Sequence, residues 1–284
     1  MTVSIARITA QSGVKYLLKT TMSDDVSLTS SDAASYYMQT GTPLGRWLGQ
    51  GLDSISRKTL DPVSSGDANA VFTHAEHPET HESFGRQHGQ TTMAHRNGEE
   101  SQRYAIAGFD LTFSVPKSVS TLWALAPQAV QHQVLAAHHE AVNDVLVWLE
   151  DAAVQTRVGR GGVAHVGTTG AIAAAFDHWE SRSHDPQLHT HVVIANRVQR
   201  VTDGAWATLD SRTLYRATVA ASEHYNGLLF DRLQDKLGAI PGFRTPTGHD
   251  RNPRHELVGV DDALIKEFSN RSHAINDEDR KSVV

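Results

Sequence analysis

The sequence has no cysteine among its 284 residues. Disulfides, thiolate metal centres and cysteine nucleophiles are therefore excluded together. It also lacks any apolar run near the roughly 20 residues that a membrane span requires. Its opening, MTVSIARITAQSG, has no apolar stretch of the kind that forms a signal peptide. The reading is a cytoplasmic protein without membrane insertion. No G-x-x-x-x-G-K-[ST] stretch occurs, so no P-loop ATPase activity is expected. Internal repeats and low-complexity tracts are absent as well.

Hydrophobic residues at 39% and charged residues at 20% are those of a globular chain, long enough to bury a substantial core. The formal charge of −6 argues mildly against a nonspecific polyanion binder. Its distribution weakens that argument. Residues 53–102 hold eight acidic and four basic residues, a local charge of −4, whereas residues 157–254 hold twelve basic against nine acidic. A nucleic-acid partner is therefore compatible with the charge pattern.

Apolar and polar residues alternate in TVSIARIT, which predicts an N-terminal strand. In YAIAGFDLTFSVPKSVS a strand runs to Ser114, with Phe109, Leu111 and Phe113 on one face and Asp110, Thr112 and Ser114 on the other. Pro116 then opens a turn into a helix. PQAVQHQVLAAHHEAVNDVLVWLEDAAV carries an apolar stripe at Val130, Val134, Ala137, Ala141, Val145 and Leu149, the spacing of an amphipathic helix. Its His132, His138 and His139 are expected on the solvated side. SRTLYRATVAASEHYNGLLFDRLQDKLG reads as a second long helix ending at Gly238. GAIAAAFDHWE and LHTHVVIANRV read as strands joined by SRSHDPQ, and WATLD as a further strand. Residues 53–102 read as loops around short helices. Two long helices on one antiparallel sheet give an α+β fold.

Three histidines stand out in FDHWESRSHDPQLHTHVVIANRV. His189 and His191 are two residues apart, so on a strand they share one face. His178 can reach that face from across the hairpin. Three neutral imidazoles suit a borderline divalent cation and leave coordination positions open, the mark of a catalytic rather than a structural metal. Exposure, or bonding to backbone carbonyls, is the competing account. A second group, His74, His77, His81, His88 and His95, lies in a polar segment without alternation and reads as a solvated loop.

The order of GFDLTFSVPKSVS and FDHWESRSHDPQLHTH along the chain resembles that of the MobF-family conjugative relaxases, the strand transferases that start plasmid transfer. The YYMQTGTPLGRWLGQG block also matches, and the resemblance runs through ALIKEFSNRS. It implies an antiparallel palm-like sheet covered by helices, in one relaxase domain over residues 1–284. It further implies that these residues are the N-terminal part of a longer protein with a helicase region.

The same resemblance implies that His178, His189 and His191 bind the metal, Mg²⁺ or Mn²⁺ in expectation, with Zn²⁺ or Ni²⁺ as alternatives. Asp110 would lie beside one of these histidines or the nucleophile, and Tyr16 would be the nucleophile that takes a 5′-phosphate. The chain departs from its best-known relatives, which often show two tyrosine pairs near the start. Here there is one tyrosine in KYLLKT and one pair, Tyr36 and Tyr37, either of which could replace Tyr16 or act in a second transfer. The implied partners are single-stranded DNA with a hairpin at an origin of transfer and accessory relaxosome proteins. The protein would act as a monomer in the donor cell and could travel with the DNA to the recipient.

For DNA contacts, Lys117, Arg197, Arg200 and Arg212 could neutralise phosphates, or be ordinary solvated surface. Trp47 could stack on an unpaired base or pack in the core. Two other functions compete. A rolling-circle replication initiator shares the H-x-H but typically has a downstream Y-x-x-K, and neither YRAT at Tyr215 nor YNGL at Tyr225 fits. A metal-stabilised module that binds a DNA hairpin without catalysis would give no covalent adduct.

Overall fold

Alternating and continuous apolar runs build one central sheet. A computed structural model describes residues 2–10, 44–86, 92–96, 99–181, 183–245 and 253–269. Tyr16, Tyr36 and Tyr37 lie outside the described residues, as do His88 and the end of the chain from residue 270. The strands are β1 (Val3–Thr9), β2 (Arg46–Leu48), β3 (Thr92–Arg96), β4 (Glu99–Arg103), β5 (Ile106–Ser114), β6 (Gln155–Val158), β7 (Ala164–Gly167), β8 (Ala173–Glu180), β9 (Pro186–Ala195), β10 (Val198–Gln199), β11 (Trp206–Ala207), β12 (Pro241–Arg244) and β13 (Arg254–Leu257). The helices are α1 (Ser65–Ala68), α2 (Lys117–Leu125), α3 (Gln128–Ala153), α4 (Ser211–Leu237) and α5 (Asp262–Glu267).

The main sheet has five strands in the order β1-β5-β9-β8-β2, and every neighbouring pair is antiparallel. The fold is α+β, as the patterning predicts. The remaining strands form two-stranded ribbons, so WATLD does supply a strand, but β11 pairs with β10 outside the main sheet. Residues 53–102 contain short helices and also the β3–β4 ribbon, which their polar, aperiodic sequence conceals.

Both faces of the sheet are covered, and alternation along β9 assigns its residues to them. Leu188, Val192 and Ile194 join Leu111, Phe113, Val145, Leu149, Leu214 and Leu229 in a core between sheet and α3/α4. His189, His191, Val193 and Ala195 point the other way, and there Val193 packs with Phe176, Trp47, Phe72 and Leu52. Each fully buried Val, Leu or Phe side chain contributes roughly 1.5–3 kcal/mol by leaving water. Asp210 caps the start of α4 through its side chain, and Gly238 ends it in the left-handed conformation, with φ 64°. Gly108 is needed for another reason: a Cβ there would lie 2.4 Å from the Ile194 carbonyl oxygen, so β5 and β9 could not come this close.

Two expectations are corrected by packing. Trp47 is fully buried and stacks on Phe72, with ring centroids 6.1 Å apart, so its ring is not available to a DNA base. His138 is not on the solvated side of α3 but wholly buried, bonded to Tyr225 and Thr190. His132 is exposed as expected, while His139 is partly covered and lies against Asp177.

Candidate metal centre

The β8–β9 hairpin brings the three histidines together. His178 and His189 are direct cross-strand partners, and His191 faces Thr112 across the β5–β9 pair. Their ring centroids are 4.8 to 5.2 Å apart. One ring nitrogen from each can be chosen so that all lie within 4.8 Å of one another. Among the described residues these three histidines are the group arranged to hold a metal ion. Phe176 lies opposite His191 on β8, so the apolar cluster on this face forms one wall beside the histidines.

Local hydrogen bonds orient two of the rings. His189 Nδ1 donates to the Gln187 carbonyl oxygen at 2.8 Å, leaving the Nε2 lone pair available. His191 Nδ1 donates to the Asp110 carboxylate, 2.8 Å from Oδ2 and 3.0 Å from Oδ1, with the Thr112 hydroxyl 3.2 Å away. Asp110 reaches His191 because it lies two residues from Thr112 on the same face of β5. A carboxylate behind a ligating histidine fixes its tautomer and raises its basicity.

Burial pushes the His178 imidazole down to about 3, with the nearby His191 and His189 adding to the effect. Burial likewise pushes His189 down to about 4, although its hydrogen bond to Gln187 works in the opposite direction. Both rings are therefore neutral at physiological pH, the state in which imidazole binds a cation. The donor set fits a divalent ion: neutral nitrogens, close together, with one ring backed by a carboxylate.

Those shifts carry a prediction for the metal-free protein. The folded-state pKa values lie below the unfolded value of about 6.5. Between that value and about 4, the unfolded chain thus binds more protons, and stability falls as pH falls. In EDTA, the thermal midpoint of the wild type should drop more steeply from about pH 6.5 to 5 than that of His178→Asn/His189→Asn. Equal slopes would contradict the depressed values.

The histidine-flanking basic residues differ among themselves. Lys117 Nζ donates to the Pro186 carbonyl oxygen at 2.8 Å, and burial lowers its pKa. Arg197 is buried, and its guanidinium is occupied by the carbonyl oxygens of Asn196 and Arg86 and the Thr208 hydroxyl. It braces the chain after β9 rather than offering a phosphate contact, which corrects that expectation. Arg200 pairs with Asp203. Arg212 is exposed in the first turn of α4.

Sequence reasoning missed Asp177 and Thr190. They are polar residues at positions whose alternation directs them into the helix-side core, and that parity was the available signal.

Residues 10–283 match the family model described as TrwC relaxase. The chain belongs to the TrwC relaxase family. It is 32% identical over 253 residues, 87% of its length, to the multifunctional conjugation protein TraI of Escherichia coli. It is 35% identical over 176 residues to TraI of Escherichia coli strain K12. It spans only 13% of the length of the first and 9% of the second. Among solved structures, it is similar to the copper-bound complex of the conjugative relaxase TrwC with oriT DNA, at a TM-score of 0.68 and 29% identity. That match covers 97% of this chain and 82% of the other. A TrwC complex with a 27-mer DNA comprising the recognition hairpin and the cleavage site has a TM-score of 0.66 at 28% identity, covering 99% and 84%. No helix among the described residues is long and apolar enough to cross a membrane.

Proposed function

We propose that residues 1–284 act as one relaxase unit, which cuts and rejoins a single DNA strand at an origin of transfer through a tyrosine. The observation that carries this reading is the cluster of His178, His189 and His191, with His191 locked by Asp110. Family membership supports the DNA substrate: the TrwC structures hold oriT DNA, one of them with the recognition hairpin and cleavage site. Accessory relaxosome proteins, action as a monomer and passage from the donor cytoplasm to the recipient belong to the same reading.

His178, His189 and His191 would hold the cation, and Asp110 would keep Nδ1 of His191 protonated so that its other nitrogen faces the ion. A divalent cation held there would supply charge neutralisation for the scissile phosphate. Imidazole donors suit Zn²⁺ or Ni²⁺ best, and they suit Mn²⁺, a first-row metal, better than Mg²⁺, which demands oxygen ligands. The Tyr16 phenol oxygen attacks phosphorus and loses its proton. The bond to the 3′ oxygen breaks, and that oxygen leaves as a free hydroxyl. One phosphodiester is exchanged for another, so a 3′-hydroxyl can reverse the step without ATP. Tyrosine suits this because its phenolate, with a pKa near 10, is a workable leaving group. Tyr36 or Tyr37 would serve a second transfer.

The test uses single-stranded oligonucleotides tiled across the DNA beside the gene, incubated with protein and Mn²⁺ or Mg²⁺. Expected on a denaturing gel is a protein–DNA adduct from one oligonucleotide, abolished by EDTA and absent in Tyr16→Phe. Tight binding without an adduct would favour a hairpin-binding module instead. An adduct lost only in Tyr36→Phe or Tyr37→Phe would move the nucleophile.

A further inference from the structure

The three histidines occupy one face of β8 and β9; the opposite face at the same place carries a chain of buried polar groups. Thr190 lies between His189 and His191 in sequence, and Asp177 immediately precedes His178. The two are cross-strand partners, next to the His178–His189 pair. The Thr190 hydroxyl donates to Asp177 Oδ1 at 2.5 Å. His138 Nε2 lies 2.7 Å from the same hydroxyl, and His138 Nδ1 lies 2.7 Å from the Tyr225 hydroxyl. On its other side Asp177 meets Arg46 Nη1 at 2.5 Å and His139 Nε2 at 3.0 Å.

Only one arrangement of protons satisfies this chain. Asp177 is a carboxylate paired with the Arg46 guanidinium and flanked by His139, so it only accepts. Thr190 spends its one proton on Asp177, so its oxygen must accept from His138 Nε2–H. His138 Nδ1 then accepts from the Tyr225 hydroxyl. His138 is wholly buried, and burial drives its pKa down and keeps the ring neutral, as this arrangement requires. The donors all point the same way, from α4 through α3 to the sheet, and such chains reinforce themselves in a low dielectric.

Its position matters for the site. The β8–β9 register shifts just beyond His178, where Glu180 opposes Pro186. His178–His189 is thus the last regular pair before an irregularity, and the Thr190–Asp177 bond braces the neighbouring pair from the other face. We infer that Thr190, Asp177, His138 and Tyr225 form a positioning clamp, which holds the three histidines at metal-binding spacing from the back of the sheet. This rests on the metal-dependent reading above. These are positioning residues, since none of them faces the cation.

The test measures Co²⁺ affinity of the full chain after EDTA treatment, by titration followed through visible absorption. Thr190→Val keeps the side-chain shape and removes the hydroxyl; it should weaken Co²⁺ binding about 10–100-fold and alter the spectrum. Thr190→Ser restores the donor and should restore both. Val145→Ala removes buried apolar atoms from α3 in the same core and no polar group of the clamp, and should leave affinity unchanged. Wild-type affinity in Thr190→Val, or an equal loss in Val145→Ala, overturns the clamp. Should Thr190→Val not fold, Tyr225→Phe decides on the same readouts, since it removes a single hydroxyl at the far end of the chain. A wild type that binds no Co²⁺ overturns the metal-dependent reading, and the clamp with it. A wild type that binds beside variants that bind equally overturns the clamp alone.

Discussion

His191→Ala is expected to reduce strand cleavage by on the order of 10³-fold, because charge stabilisation by a bound cation is worth several kcal/mol and each 1.36 kcal/mol is tenfold in rate. Among the three histidines this one has the most structural support. It pairs with β5, its Nδ1 is held by Asp110 and Thr112 lies alongside. Two imidazoles cannot replace three, so Mn²⁺ affinity should fall with the rate. Binding of single-stranded DNA should persist, because phosphate contacts of the basic side chains do not depend on the cation. Single-turnover cleavage and a mobility-shift assay on one preparation separate the effects. Retained cleavage at normal Mn²⁺ would contradict the assignment.

Asp110→Asn should have the next largest effect, a loss of about 10–100-fold in metal affinity or cleavage rate, with the fold intact. The amide is nearly the same shape, and Asp110 is only partly buried, so the sheet should tolerate it. What disappears is the negative charge behind the His191 ring. The amide can still accept from Nδ1–H if its oxygen faces the ring, but it no longer raises the basicity of the imidazole. Excess Mn²⁺ should partly restore Asp110→Asn but not His191→Ala. Equal rescue of both would mean that Asp110 is more than a support for the histidine. No rescue of Asp110→Asn, with metal affinity unchanged, would give it a role at the nucleophile instead.

Much of this site is legible in the sequence because it is built from strands. A period of two fixes which residues share a face, so H-x-H places His189 and His191 together, and GFDLTFS places Asp110 on the polar face of β5. The short SRSHDPQ connection brings His178 across from them. What lies on the reverse face is less legible. His138 falls on the Val134–His138–Val142 line of α3, where i, i+4 spacing predicts burial, but its polar side chain disguises the position. Only tertiary structure reveals that Thr190 and Tyr225 wait there as partners. Trp47 shows the opposite case: three residues of β2 are too few for a pattern, and burial between Phe72 and Ala174 follows from pairing with β8. Arg197 looked like a phosphate contact because charge alone was visible, whereas its guanidinium donates to the carbonyl oxygens of Asn196, just after β9, and of Arg86.

The most direct test of the central claim, that a tyrosine of this chain takes the DNA 5′-phosphate in a metal-dependent exchange, is peptide mapping of the covalent adduct by mass spectrometry. The adduct formed with Mn²⁺ is digested with protease and nuclease, and the tyrosine peptides are examined for a retained nucleotide. The account predicts the phosphonucleotide on Tyr16, none in EDTA, and a DNA product with a free 3′-hydroxyl that a polymerase can extend. A 3′-phosphate product, a nucleotide on a residue other than tyrosine, or an adduct formed equally in EDTA would contradict it.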